Sequence, residues 1–243
     1  MASITVKTFR HPQWLTNCYL VCNTESNCAI LIDAGAPIRA FKRDLTRDGY
    51  SLRAILLTHS HFDHIDSLGE WAGNFDSDVY GHALGNSMAV GITCPLQGGE
   101  PLSFGGISVQ VVPTPGHCPD HLSFLVEGSH LFIGDLLFKG SVGGTADGNF
   151  DALKYSVMSI IMKLPKATKI YPGHSDATTI EDEWNSNLFI RAWRGVDKPL
   201  DLPCEVRGEA GKIRVRAKDY DGENKVWVEL GSKNIIVAES DLK

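Results

Sequence analysis

No cysteine in this chain belongs to a Cys-x-x-Cys pair, no stretch is apolar for long enough to span a bilayer, and positive charge is in deficit. Each absence removes a class of protein. The six cysteines, at positions 18, 22, 28, 94, 118 and 204, are scattered, and 243 residues can build a core without staples, so reduced thiols are expected rather than a disulfide framework. With 23 Lys and Arg against 29 Asp and Glu, the formal charge of -6 argues against nucleic acid or an anionic membrane as a partner, since both reward a basic face. No N-terminal signal pattern and no long apolar run point to a soluble, cytoplasmic protein. Internal repeats and low-complexity tracts are also missing. What remains, 43% hydrophobic and 21% charged, is an ordinary globular composition.

Short strand-like runs alternate with helical spacing along most of the chain. Met1 to Arg10 reads as a first strand, followed by Asn17 to Cys22 and Cys28 to Ile32, with a turn at 23–27. Ile38, Phe41 and Leu45 recur at helical spacing, Ala54 to Leu57 is a buried strand, and Ile65, Leu68, Ala72 and Phe75 predict a helix. Further strands are expected at Val79–Tyr80, Ile107–Val112, Leu122–Val126, Leu131–Ile133 and Lys169–Tyr171. A helix is expected over 150–164, stopped by Pro165, and another after a capping box made by Thr178 and Glu181. This order predicts an α/β layered fold over residues 1–194. After a linker at 194–202, four runs separated by glycine turns predict a small all-β module over 203–243, resembling an SH3-like barrel.

The densest chemistry lies in Thr58-His59-Ser60-His61-Phe62-Asp63-His64-Ile65-Asp66, directly after the buried strand. Crowded imidazoles lose hydration and neighbouring carboxylates repel, unless a cation offsets both, so this segment reads as a metal site at a strand end. Three more strands stop at a glycine followed by a donor: Gly116-His117, Gly134-Asp135 and Gly173-His174. Glycine lets the backbone turn sharply or approach closely at such places. Asp33 and Asp66 are candidates to hold imidazole N–H groups or to cap helices, and His121 and Cys118 read as packed neighbours of the site.

These segments, with Leu31-Ile32-Asp33-Ala34-Gly35, Gly134 to Ser141 and Pro172-Gly173-His174, resemble the metallo-β-lactamase superfamily and, within it, glyoxalase II-like (hydroxyacylglutathione hydrolase-like) hydrolases. The resemblance covers about residues 3–193. It implies an αββα sandwich, two mixed β-sheets with helices outside, bearing two divalent cations. One would take His59, His61 and His117, the other Asp63, His64 and His174, with Asp135 bridging. Nitrogen and oxygen donors without thiolate suit zinc, and also iron or manganese. A hydroxide shared by the cations would be the nucleophile, with Asp63 and Asp135 the catalytic carboxylates.

The implied substrate is a small acyl thioester or related ester. A thiolate leaves readily because its conjugate thiol has a pKa of ~8.5, whereas lactone opening expels a more basic alkoxide and ranks second. Members that hydrolyse β-lactams carry Cys or Ser where Asp135 stands. Persulfide dioxygenases of the same scaffold hold one iron on two His and one Asp, here His59, His117 and Asp135, and form the oxidoreductase alternative. Where many glyoxalase II-like enzymes read GSxGRTD, this chain has Gly140 to Asp147 with Gly144 in place of arginine, and a β module replaces their C-terminal helical domain. That module is a candidate surface for homo-oligomer formation.

Overall fold

A computed structural model describes residues 3–88 and 91–243. The fold is the expected α/β sandwich of mixed sheets and helices, with a small C-terminal β-sheet added. The chain divides into two compact units: residues up to Pro113 together with Asp120–Gly134, and Thr114–Pro119 together with Asp135–Lys243. Among the described residues no helix is long and apolar enough to cross a membrane.

In the first unit, β1 (Ile4–Arg10), β2 (Asn17–Asn23) and β3 (Cys28–Ile32) form an antiparallel meander. Met1 and Ala2 of the expected first strand lie outside the described residues. The chain then runs through α1 (Lys42–Arg47) and β4 (Ser51–Leu56), α2 (Phe62–Ile65) and α3 (Leu68–Phe75), β5 (Asp78–His82) and β6 (Cys94–Leu96). Strands β3 to β6 pair in parallel, so this six-stranded sheet is mixed. A second, antiparallel set follows in the order β10 (His130–Gly134), β9 (Leu122–Val126), β8 (Ile107–Pro113) and β7 (Pro101–Phe104). Strands β6 and β7 were not anticipated: each is short and carries a proline, which weakens a strand pattern.

Burial explains the layering. All seven residues of β2 are buried, as a strand covered on both faces must be. One face carries Cys18, Leu20 and Cys22 into a core with Phe41, Leu45, Leu68 and Trp71 from the helical side. On the other face, Tyr19 meets Phe132 of β10 edge to face, at 5.2 Å between centroids. None of the six cysteines is joined in a disulfide.

The second unit holds the hairpin β11 (Leu137–Phe138) and β12 (Ser141–Val142), α4 (Phe150–Tyr155), the hairpin β13 (Lys169–Pro172) and β14 (Thr178–Thr179), α5 (Ile180–Ser186) and α6 (Leu188–Trp193). The helix expected over 150–164 is shorter: after α4 the coil widens to a π turn at 156–160 and then tightens at 161–163. The expected cap is displaced by one residue. Thr179 accepts from the Asp182 amide, while Thr178 turns inward and donates to buried Glu183 at 2.8 Å. Glu183 also accepts from Gly140 N and from Asn187, which caps α6 and so splits the single helix expected there.

The C-terminal module is an antiparallel sheet in the order β15 (Leu202–Val206), β16 (Glu209–Lys218), β17 (Asn224–Leu230) and β18 (Lys233–Ala238). The chain end returns to its first strand through a bridge between Val206 and Leu242. The sheet packs into the rest of its unit, with Trp227 5.3 Å from Phe150 of α4.

Trp71 is fully buried, donates to Ala36 O at 2.6 Å, and packs against Phe41 and Phe75. Truncating Trp71→Ala removes the ring and leaves that carbonyl without its donor, so stability should fall by ~3–5 kcal/mol in urea unfolding.

Candidate metal centre

Within the first unit the structure gathers His59, His61, Asp63 and His64 where β4 gives way to α2. The parallel pairing of β3 with β4 brings their ends together, and Asp33, one residue past β3, is the hub. Its carboxylate accepts the Thr58 amide at 2.8 Å, the Thr58 hydroxyl at 2.9 and 3.0 Å, and His64 Nδ1 at 2.8 Å. Because a carboxylate accepts these bonds, Nδ1 of a neutral His64 carries the proton and Nε2 keeps its lone pair. With its proton given to Asp33, the Thr58 hydroxyl accepts from His59 Nδ1 at 3.0 Å, which sets the same tautomer there. Asp33 thus holds two imidazoles, one directly and one through Thr58.

The backbone is fitted as closely. Ala34 N donates to His64 O and Ser67 N to Ala34 O, so the segment after β3 is laced to the donor turn. At Gly35 any Cβ would overlap the Asp63 carbonyl, which explains a glycine there. His121 is buried with its ring 5.3 Å from His59, a packing neighbour as expected. Asp66 is exposed, and among the described residues no imidazole reaches it. Thr16 escaped the sequence reading altogether: its hydroxyl donates to Asp63 Oδ2 at 2.6 Å. It lies in the loop after β1, 47 residues from its partner, with no periodicity to mark it.

Within the second unit the structure gathers His117, Asp135 and His174. The segment bearing His117 is pinned by α4, where Asn149 N donates to Gly116 O and the Ser156 hydroxyl to Pro115 O. A Cβ on Gly116 would strike the Leu153 backbone. His117 Nδ1 donates to Gly144 O at 2.8 Å, which leaves Nε2 as its lone-pair nitrogen. A Cβ on Gly143 would overlap the Asp135 carbonyl and crowd His117 Nδ1, so the glycine at 143 lets this loop run past both residues. Cys118 is buried.

The separations between donor atoms test whether these residues suit a cation. Two ligands ~2.1 Å from one tetrahedral ion stand ~3.4 Å apart. His174 Nε2 lies 3.4 Å from Asp135 Oδ2, His117 Nε2 lies 3.8 Å from the same oxygen, and His64 Nε2 lies 3.7 Å from Asp63 Oδ2. His59 Nε2 and His61 Nδ1 approach to 3.1 Å. The first two of these gaps straddle the hydrogen-bond limit, and all four match donors converging on shared ions. The residues fit divalent metal.

Asp33→Ala should leave Thr58 and His64 with buried, unsatisfied donors and cost the metal-free protein ~1–3 kcal/mol or more in urea unfolding. The nearly isosteric Asp33→Asn, which turns one acceptor into a donor, should fall between that variant and the wild type.

The sequence model of the metallo-β-lactamase superfamily matches residues 11–89 and 95–174. A hydroxyacylglutathione hydrolase of Glaesserella parasuis is 33% identical over 151 residues, 62% of this chain and 63% of that protein. Among solved structures, BLEG-1, described as a B3 metallo-β-lactamase, superimposes with a TM-score of 0.72 at 29% identity, covering 76% of this chain and 99% of its own. ETHE1 of Myxococcus xanthus follows with 0.69 at 28% identity, covering 77% and 85%. Donor chemistry, fold and sequence agree, and the chain belongs to the metallo-β-lactamase superfamily of metal-dependent hydrolases.

Proposed function

We propose that this protein is a dinuclear hydrolase of the glyoxalase II-like kind, cleaving an acyl thioester or related ester. His59, His61 and His117 take one divalent cation, Asp63, His64 and His174 take the second, and Asp135 serves both. The observation that carries this reading is the donor spacing: each pair measured above consists of two residues assigned to the same ion, at 3.1–3.8 Å. When bound, two such cations lower the pKa of a coordinated water from ~15.7 toward ~7 and polarise a substrate carbonyl. Zinc suits the nitrogen and oxygen donors, as do iron and manganese.

The chain's own part is positioning. Asp33 and Thr58 present His59 and His64 through Nε2, Gly144 O presents His117 in the same way, and Thr16 restrains the Asp63 carboxylate. A thioester fits this equipment because its thiolate departs without a dedicated proton donor. The likeness to a hydroxyacylglutathione hydrolase supports the same substrate class. Gly144, however, supplies no cation for the carboxylates of glutathione, so the reading is thioester hydrolysis in general rather than glutathione thioester hydrolysis. An aspartate at 135 sets the chain apart from the β-lactam-hydrolysing pattern.

The test couples metal analysis to a panel of thioesters, lactones and a persulfide. Two metals per chain and fastest turnover of a thioester are expected. One iron per chain with persulfide-dependent oxygen uptake would overturn the proposal, and fastest turnover of a lactone would overturn its substrate class. His61→Ala and Asp135→Ala should each lower metal content and reduce kcat/KM by more than the ~10–100-fold typical of residues that merely support a ligand. Two tightly bound metals in both variants would refute the assignment.

A further inference from the structure

The C-terminal sheet reaches two of the donor residues by separate routes. Tyr220, in the turn between β16 and β17, lays its ring on the imidazole of His174, with centroids 4.1 Å apart and planes within 13°. Phe138 meets both rings edge-on, 5.6 Å from His174 and 5.1 Å from Tyr220. Lys225 of β17 lies close to this cluster, its ammonium 2.7 Å from Asp219, 5.4 Å from the Phe138 ring centre and 5.7 Å from that of Tyr220. This ion pair is nearly buried, a costly arrangement whose yield in stability is small.

The second route starts from β18. Thr145 N donates to Ile236 O at 2.8 Å, and Ile236 N donates to the Thr145 hydroxyl at 2.9 Å. Thr145 directly follows Gly144, whose carbonyl orients His117. A Cβ on Gly144 would stand in ordinary contact with Ile236 O, 3.5 Å away, so β18 lies directly beside residue 144.

We propose that the C-terminal sheet is part of the metal centre, with Tyr220 a positioning residue that fixes the ring plane of His174 and Ile236 acting on His117 through Thr145 and the Gly144 carbonyl. The inference rests on the reading of His117 and His174 as metal ligands. An imidazole is only loosely held about its terminal torsion, and a face-stacked ring removes that freedom. A cation-bound imidazole is also electron-poor, and the negative face of a tyrosine ring favours it. The module is therefore more than an appendage: it supplies the supporting contacts that set ligand orientation, which commonly govern metal affinity.

Full-length protein stripped of metal and titrated with Zn²⁺ or Co²⁺ against a chromogenic chelator tests the proposal. Tyr220→Leu keeps bulk but loses the aromatic face; it should weaken one of the two metal-binding steps by about tenfold or more and alter the visible spectrum of bound Co²⁺. Tyr220→Phe should stay within about twofold of wild type with an unchanged spectrum. Thr145→Val, lacking the acceptor for Ile236 N, should weaken metal binding as well. Thermal melting of the metal-free variants reports folding, and Tyr220→Met replaces the leucine variant if that one does not fold. Wild-type affinity and spectrum in the leucine or methionine variant, with or without a lowered melting temperature, would overturn the proposal. His174→Ala separates this outcome from the underlying reading: if that variant binds two metals with unchanged affinity, His174 is not a ligand, and the assignment fails before Tyr220 is considered.

Discussion

A buried carboxylate that must satisfy several donors at once constrains what surrounds it, and Asp33 imposes that constraint here. It is almost fully buried and takes bonds from the Thr58 amide, the Thr58 hydroxyl and His64 Nδ1. Leaving such a group without partners would be expensive, so β3, β4 and the turn into α2 have little freedom to shift independently. The consequence is chemical as well as structural. Two imidazoles are fixed in the tautomer that leaves Nε2 with its lone pair, and the Asp63 turn is packed so closely that only glycine fits at 35. Stability and site geometry here come from the same hydrogen bonds.

The second unit reaches the same end by different means. Here a backbone carbonyl accepts from His117 Nδ1, and a tyrosine ring stacks on His174. The glycine at 143 lets the loop pass Asp135 closely, and Glu183 anchors the turn at Gly140. Burial raises the pKa of Glu183 above the usual carboxylate range even though Asn187, Gly140 and Thr178 all donate to it. Its ionised form is therefore disfavoured in the fold, and the stability it contributes declines as pH rises from the unfolded toward the folded pKa.

What the sequence reveals is what is local. The donors of residues 59–66 stand in one run, and each strand that ends in a glycine and a donor carries its own signal, so these residues could be named before any fold was known. Most strand positions followed from alternation and apolar runs; β6 and β7, where Pro95 and Pro101 mask the pattern, did not, nor did β11, β12 and β14, whose two residues each are too few to show one. The helix cap at 179 rather than 178 turned on which threonine Glu183 draws inward, a tertiary matter. Thr16 and Tyr220 were illegible for a deeper reason. Each acts on a residue 46 or more positions away and stands in a loop or turn without periodicity, so only the folded chain brings it to its partner. Long-range support of this kind leaves no trace in spacing.

The central claim is that seven side chains, His59, His61, Asp63, His64, His117, Asp135 and His174, hold two cations. Crystals of the metal-loaded protein measured at the absorption edge of the bound metal test it most directly. Two anomalous peaks are predicted, one bound by His59, His61 and His117, the other by Asp63, His64 and His174, with Asp135 touching both. A single peak, or metal held by other residues, would contradict the account.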